Sequence, residues 1–150
     1  MLLETTETQT SDENKRCYLQ LIQEPICRMS TNSAIFKGFA ATITAGISTI
    51  DHETVNLIVL GLSFLPVLIF AIMDIYYLML ERKFRFLFKQ VAEGQHDIDF
   101  SLELTKDPLE IIKAKARVID CVKSPSVGLF YPILIAILVV VFILKYSNKV

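Results

Sequence analysis

Histidine is scarce in this 150-residue chain, limited to His52 and His96. Neither has a nucleophile or a metal-ligand pattern around it, so an enzyme is not expected and no cofactor is implied. Cysteine is almost as rare. Cys17, Cys27 and Cys121 lack zinc-type spacing, which leaves three free thiols as the expectation and no metal site. The opening stretch, MLLETTETQTSDEN, contains neither a basic patch nor an apolar run, so it does not read as a secretory signal. Residues 1–12 have too little apolar surface to offset the entropy of ordering, and a disordered tail is expected there. Two further absences set the architecture. No charge interrupts Val55–Met73, and no Lys or Arg occurs in the turn Asp51-His52-Glu53-Thr54 before it.

What is abundant is apolar residues, 53% of the chain against 21% charged. A bilayer core of ~30 Å takes roughly 20 helical residues to cross. Residues 55–80 satisfy that length, 127–144 nearly so, and 34–50 is at the lower limit. The expected fold is an all-α membrane protein with three transmembrane helices. Lys15, Arg16 and Arg28 precede the first span and Lys37 lies at its entry, and nine Lys or Arg lie between the second and third. The positive-inside rule therefore puts the N-terminus and residues 81–126 in the cytoplasm. The basic residues sit beside apolar runs, so no nucleic-acid partner is expected; the partner is the lipid bilayer.

Residues 13–33 read as an amphipathic cytoplasmic helix, with Tyr18, Leu21, Ile22, Ile26 and Met29 on one face. Pro25 is expected to kink or break it. In the first span, Gly38, Thr42, Ala45 and Thr49 form one seam of small residues, and Lys37, Ala41, Thr44 and Ser48 form the next. The first seam is taken as the helix-packing surface. The Asp51-His52-Glu53 turn reads as a hairpin cap.

In the second span Asn56, Ser63, Asp74 and Glu81 share a face that lipid would not accept. Asp74 is expected to pair with Lys37, with Asn32, Ser33 and Tyr77 as further hydrogen-bond partners. Pro66 is a candidate bend. Beyond Tyr76 and Tyr77, Arg82, Lys83, Arg85 and Lys89 suit anionic lipid heads, and equally a nucleotide-type ligand. Gly94 ends this helix. Residues 96–105 alternate as a strand would, Ile98, Phe100, Leu102 and Leu104 against Asp97, Asp99, Ser101 and Glu103. This strand-like segment either pairs with another chain or lies extended against the helices. Asp107 and Pro108 start an interfacial helix expected to reach Val122. In the third span nothing selects a buried face, and a short tail, 145–150, follows.

Two patches, Asn32-Ser33-Ala34-Ile35-Phe36-Lys37-Gly38-Phe39 and Asp74-Ile75-Tyr76-Tyr77-Leu78 continuing to Glu81-Arg82-Lys83-Phe84-Arg85, resemble a sequence type found in small bacterial inner-membrane proteins. Ile98-Asp99-Phe100-Ser101 is similar to that type as well. Such proteins resemble the membrane effectors of anti-phage defence loci, which implies a homo-oligomer that breaches or depolarises the inner membrane. The alternative expectation is a non-conducting anchor or scaffold that presents its cytoplasmic surface to a partner protein.

Overall fold

The computed structural model describes residues 2–49, 61–104 and 106–147. Its elements are six helices: α1 (Leu2–Thr49), α2 (Phe64–Ala92), α3 (Pro108–Lys113), α4 (Val118–Val122), α5 (Pro125–Gly128) and α6 (Phe130–Ser147). No strand occurs among the described residues. The hairpin turn 51–54, with His52, and the start of the second span, with Asn56, lie outside them.

Helix α1 runs without interruption for 48 residues, about 72 Å at 1.5 Å per residue. Two expectations are corrected here. Residues 2–12 are helical rather than disordered, because extending an existing helix fixes one residue per new hydrogen bond and avoids the cost of nucleation. Pro25 lies inside α1 without ending it. Proline costs a helix interior about 3 kcal/mol. The carbonyl it deprives belongs to Leu21, on the exposed side, while Ile22, Ile26 and Met29 stay packed on the other.

Helix α2 returns antiparallel to α1, and the pair holds two separate cores. The first joins Tyr18, Ile22, Ile26 and Met29 of α1 to Phe84, Leu87 and Val91 of α2. Spacings of three and four on both helices make this a coiled-coil-like seam. It is called the stalk below. The second core joins Ala40 and Val67 to Val127, Tyr131, Leu134 and Leu138, so α6 packs into the apolar end of the hairpin. The helix expected as the third span therefore does have a buried face.

Helix α2 is long and apolar enough to cross a membrane, and most of its apolar window faces outward. Residues Pro108–Gly128 and Phe130–Leu144 pass the same test only as a pair, bent by 62°. The bend falls at Gly128, where an added methyl group would lie 2.7 Å from the Val122 carbonyl oxygen. A break also precedes α2: Ser63 is a turn residue, because Pro66 has no N–H to give the Leu62 carbonyl.

Gly94, at φ +72°, closes α2 as expected. Gln95 N–H donates to the Gln90 carbonyl at 2.8 Å and Gly94 N–H to that of Val91 at 3.2 Å, a Schellman motif. The segment that follows is extended, not a strand. Asp99 Oδ1 accepts from Ser101 N–H at 2.9 Å, Ser101 Oγ accepts from Glu103 N–H at 3.2 Å, and Phe100 takes φ +55°. These local bonds replace a ladder and rotate the pleat away. Asp107 caps α3 through Leu109 N–H at 2.9 Å. The helix expected to continue to Val122 stops, however, at Lys113, and in the turn that follows Lys115 adopts φ +51°.

Candidate functional site

Between the two cores lies a polar joint. Ser33 and Lys37, one turn apart on α1, face Asp74 of α2. The Asp74 side chain is 0% exposed and that of Lys37 18% exposed. The Lys37 ammonium lies 2.5 Å from Asp74 Oδ2 and donates to Ser33 Oγ at 2.7 Å, while Ser33 donates to Asp74 Oδ1. Oδ2 accepts no hydrogen bond of regular geometry, so its contact with Lys37 is an ion pair held by charge and proximity. The sequence pairing of Lys37, Ser33 and Asp74 is thus reproduced in one cluster. Tyr131 of α6 donates to the Phe70 carbonyl at 3.2 Å and stands close enough to Asp74 to interact with it. No reading of the sequence placed Tyr131 here. Its only signal was the spacing of Tyr131, Leu134 and Leu138, which has no polar contrast to make it visible.

An aromatic collar encloses the joint. Phe36 lies 5.4 Å from Tyr77 and 6.0 Å from Phe70, and Phe39 lies 6.0 Å from Phe70, centroid to centroid. Tyr77 belongs to this collar rather than to the hydrogen bonds around Asp74. Asn32 is half-buried beside the cluster and does not join it. Ser63 is buried, but 11 residues along α2, about 16 Å away. Glu81 accepts from Arg85 Nε at 2.7 Å. The expected polar face of α2 is therefore divided among separate environments.

The seam of Gly38, Thr42, Ala45 and Thr49 is exposed, not packed. The face turned to α2 and α6 carries Ala40 and Thr44 instead, because Val67 and Tyr131 meet the helix on that side. Thr42 and Thr49 give their hydroxyls to their own helix, to the Gly38 and Gly46 carbonyls at 2.9 and 2.7 Å.

The basic residues after Tyr77 also have intramolecular roles. Arg82 donates to the Lys115 carbonyl at 2.7 Å and the Asp120 carbonyl at 3.1 Å, clamping α3 and α4 onto α2. Lys89 lies 3.7 Å from Glu93. Lys83 lines a polar cleft of about 480 Å³ with Gln90, His96 and Glu103.

A second cluster ties the extended segment to the stalk. The Tyr18 hydroxyl donates to the Ser101 carbonyl at 2.5 Å and reaches Asp99 Oδ1 at 3.1 Å, with Phe100 at 5.5 Å from its ring. Burial, then the Asp99 carboxylate, push the phenol up to about 12. The Ser101 N–H, above other causes, holds Asp99 below the usual carboxylate range. The free thiols are Cys17 and Cys27 on the stalk surface and Cys121, buried on the inner side of α4. Among the described residues no three His, Cys, Asp or Glu gather in a metal-binding group.

Comparison with protein-family models, with curated proteins and with solved structures returns no match in any of the three.

Proposed function

We propose that the chain is a multi-pass membrane protein of three spans that assembles with copies of itself into a pore, with α1 toward the pore axis and the Lys37–Asp74 pair as a latch. The observation that carries this reading is the uncovered face of α1. Among the described residues α1 contains no stretch that passes as a membrane span alone, unlike α2. α2 and α6 cover only the Ala40 and Thr44 side. The opposite side, with Gly38, Thr42, Ala45 and Thr49, suits close approach of another helix or contact with water better than lipid. The cytoplasmic placement of the stalk rests on the basic residues at its end, and the bacterial inner membrane rests on the resemblance alone. The resemblance to anti-phage effectors is carried by the residues that build the joint, Ser33, Lys37 and Asp74, and supports an effector that depolarises the membrane.

Liposomes holding a trapped ion gradient test this. The protein is expected to release the gradient, and Lys37→Leu or Asp74→Leu to change the rate at least several-fold. Absence of leak from a correctly inserted protein would refute the pore. A second reading, a non-conducting scaffold, is favoured by the stalk, which has its own core and a charged surface outside the apolar half. Mass measurement in nanodiscs separates the two: a ring of copies supports the pore, and a monomer with one dominant soluble partner supports the scaffold.

A further inference from the structure

The bent region joining α2 to α6, residues 108–123, is an elbow whose outer surface has no partner in the chain. Leu109 (66% exposed), Ile112, Val118, Ile119 (55% exposed) and Val122 all point outward. This is not the result of a loose segment. Ala116 and Cys121 are buried beneath, and the Arg82 guanidinium holds the carbonyls of Lys115 and Asp120 from the α2 side. The Lys115 turn is itself hydrogen-bonded, Ala116 N–H to the Ile111 carbonyl at 3.0 Å and Lys115 N–H to that of Ile112 at 3.0 Å. Gly128 then permits the close turn into α6 against the Val122 carbonyl. A fixed scaffold thus displays five large apolar side chains away from the protein.

We infer that the elbow is an interfacial anchor: it lies in the headgroup region of one leaflet and inserts this apolar face among the upper acyl chains of anionic lipids. The inference rests on the membrane reading above and adds a lipid contact to it. Three features of the elbow favour lipid over a protein occupant. Its apolar face runs through Leu129 into the outward apolar surface of α6. The stretch Pro108–Gly128 as a whole is bent 62° from Phe130–Leu144, so a crossing α6 leaves it closer to the membrane plane than to the normal. Its charge is complementary to anionic headgroups. Arg117 is neutralised by Asp120 at 2.7 Å, whereas Lys113, Lys115 and Lys123 are exposed and have no carboxylate within ion-pair distance among the described residues. A helix with an apolar face flanked by lysines is the arrangement that binds along an anionic interface. Arg82, one of the residues expected from sequence to meet the lipid heads, instead holds the anchor in place.

The chain contains no tryptophan, so single tryptophans report their own depth. Full-length variants Ile119→Trp, Ile72→Trp and Gln23→Trp are placed in vesicles of zwitterionic and anionic lipid brominated either near the glycerol or deep in the acyl chain. The expected result is quenching at 119 at least twofold stronger with the shallow bromine than with the deep one, the reverse order at 72, and none at 23. Replacing Lys113, Lys115 and Lys123 together by Gln is expected to reduce shallow quenching at 119 in anionic vesicles at least twofold, with position 72 unchanged. If 72 is quenched and 119 is not, the elbow inference is wrong and the membrane reading stands; shielding of 119 from acrylamide in that case identifies a second copy as its cover. If neither is quenched, both fail.

Discussion

The two ends of the α1–α2 hairpin bury the same kind of residue and display opposite ones. In the stalk, Tyr18, Ile22, Ile26, Phe84 and Leu87 are hidden, and Gln23, Glu24, Arg28 and Lys89 are shown. In the other half Val67, Leu134 and Leu138 are hidden, and Leu65, Ile69, Ile72, Ile133 and Val140 are shown. The interior therefore says little about surroundings, and the outer surface says most. The same two helices pass through both halves, and on the membrane reading proposed above they change solvent at Ser33, Lys37 and Asp74. That is where a buried ion pair is least costly, since the Lys37 stem can lead its ammonium toward the wet side.

The largest test of this division is the joint. Removing one partner of a buried pair costs about 3–5 kcal/mol, while replacing both with apolar groups is often neutral or stabilising. Lys37→Leu, which strands the fully buried Asp74, is expected to lose more than Asp74→Leu, whose orphaned lysine remains partly exposed. Lys37→Leu with Asp74→Leu should recover most of the loss. Denaturation in mild detergent, arranged as a double-mutant cycle, reads the coupling. Next is Ile72→Arg. At a site 65% exposed, such a change in water would fall within about 0.5 kcal/mol of neutral. In a bilayer it costs about 2.5–3.5 kcal/mol, read as the inserted fraction in membranes.

Gly128→Ala would force a methyl group against the Val122 carbonyl, an overpacking cost of about 1–3 kcal/mol seen as a lowered Tm. Lys115→Gly removes a left-handed strain of about 1–2 kcal/mol, offset by glycine's greater chain entropy, and should raise the Tm by a few degrees at most. The smallest effect concerns the stalk alone. The Tyr18 phenol is raised from 10.0 to about 12 in the fold. Its contribution is complete below pH 10 and is lost as pH rises toward 12. Absorbance at 295 nm should show a tyrosine phase near pH 12, and Tyr18→Phe should remove that phase.

The parts of this arrangement that were legible in the sequence involve contrast. Lys37 and Asp74 are charges in apolar surroundings, with few places to go except each other, and Tyr18, Ile22, Ile26 and Met29 stand out against polar neighbours. Where contrast is missing, sequence periodicity is silent. Tyr131, Leu134 and Leu138 are embedded in aliphatics, and nothing marks them as the face that meets Ala40 and Val67. Two adjacent small-residue seams on α1 are equally plausible, and the face that α2 and α6 cover takes Thr44 from one of them together with Ala40, which lies in neither. Residues 96–104 misled by a different route. Their alternation is real, but the Asp99 and Ser101 side chains bond the local backbone and prevent a strand. The break at Lys115 has no glycine to announce it, because Arg82, distant in sequence, stabilises that turn from outside.

Thiol labelling in native membranes tests the change of solvent most directly. Cys27 is exposed on the stalk, and a variant with all three native cysteines replaced by serine and Ile72→Cys supplies the matching exposed site on the apolar half. Maleimide reacts with a thiolate, which forms in water and not in lipid. Rapid labelling at Cys27, with none at position 72 until the membrane is dissolved and the protein unfolded, is the result expected here. Equal labelling at both positions in intact membranes would contradict it.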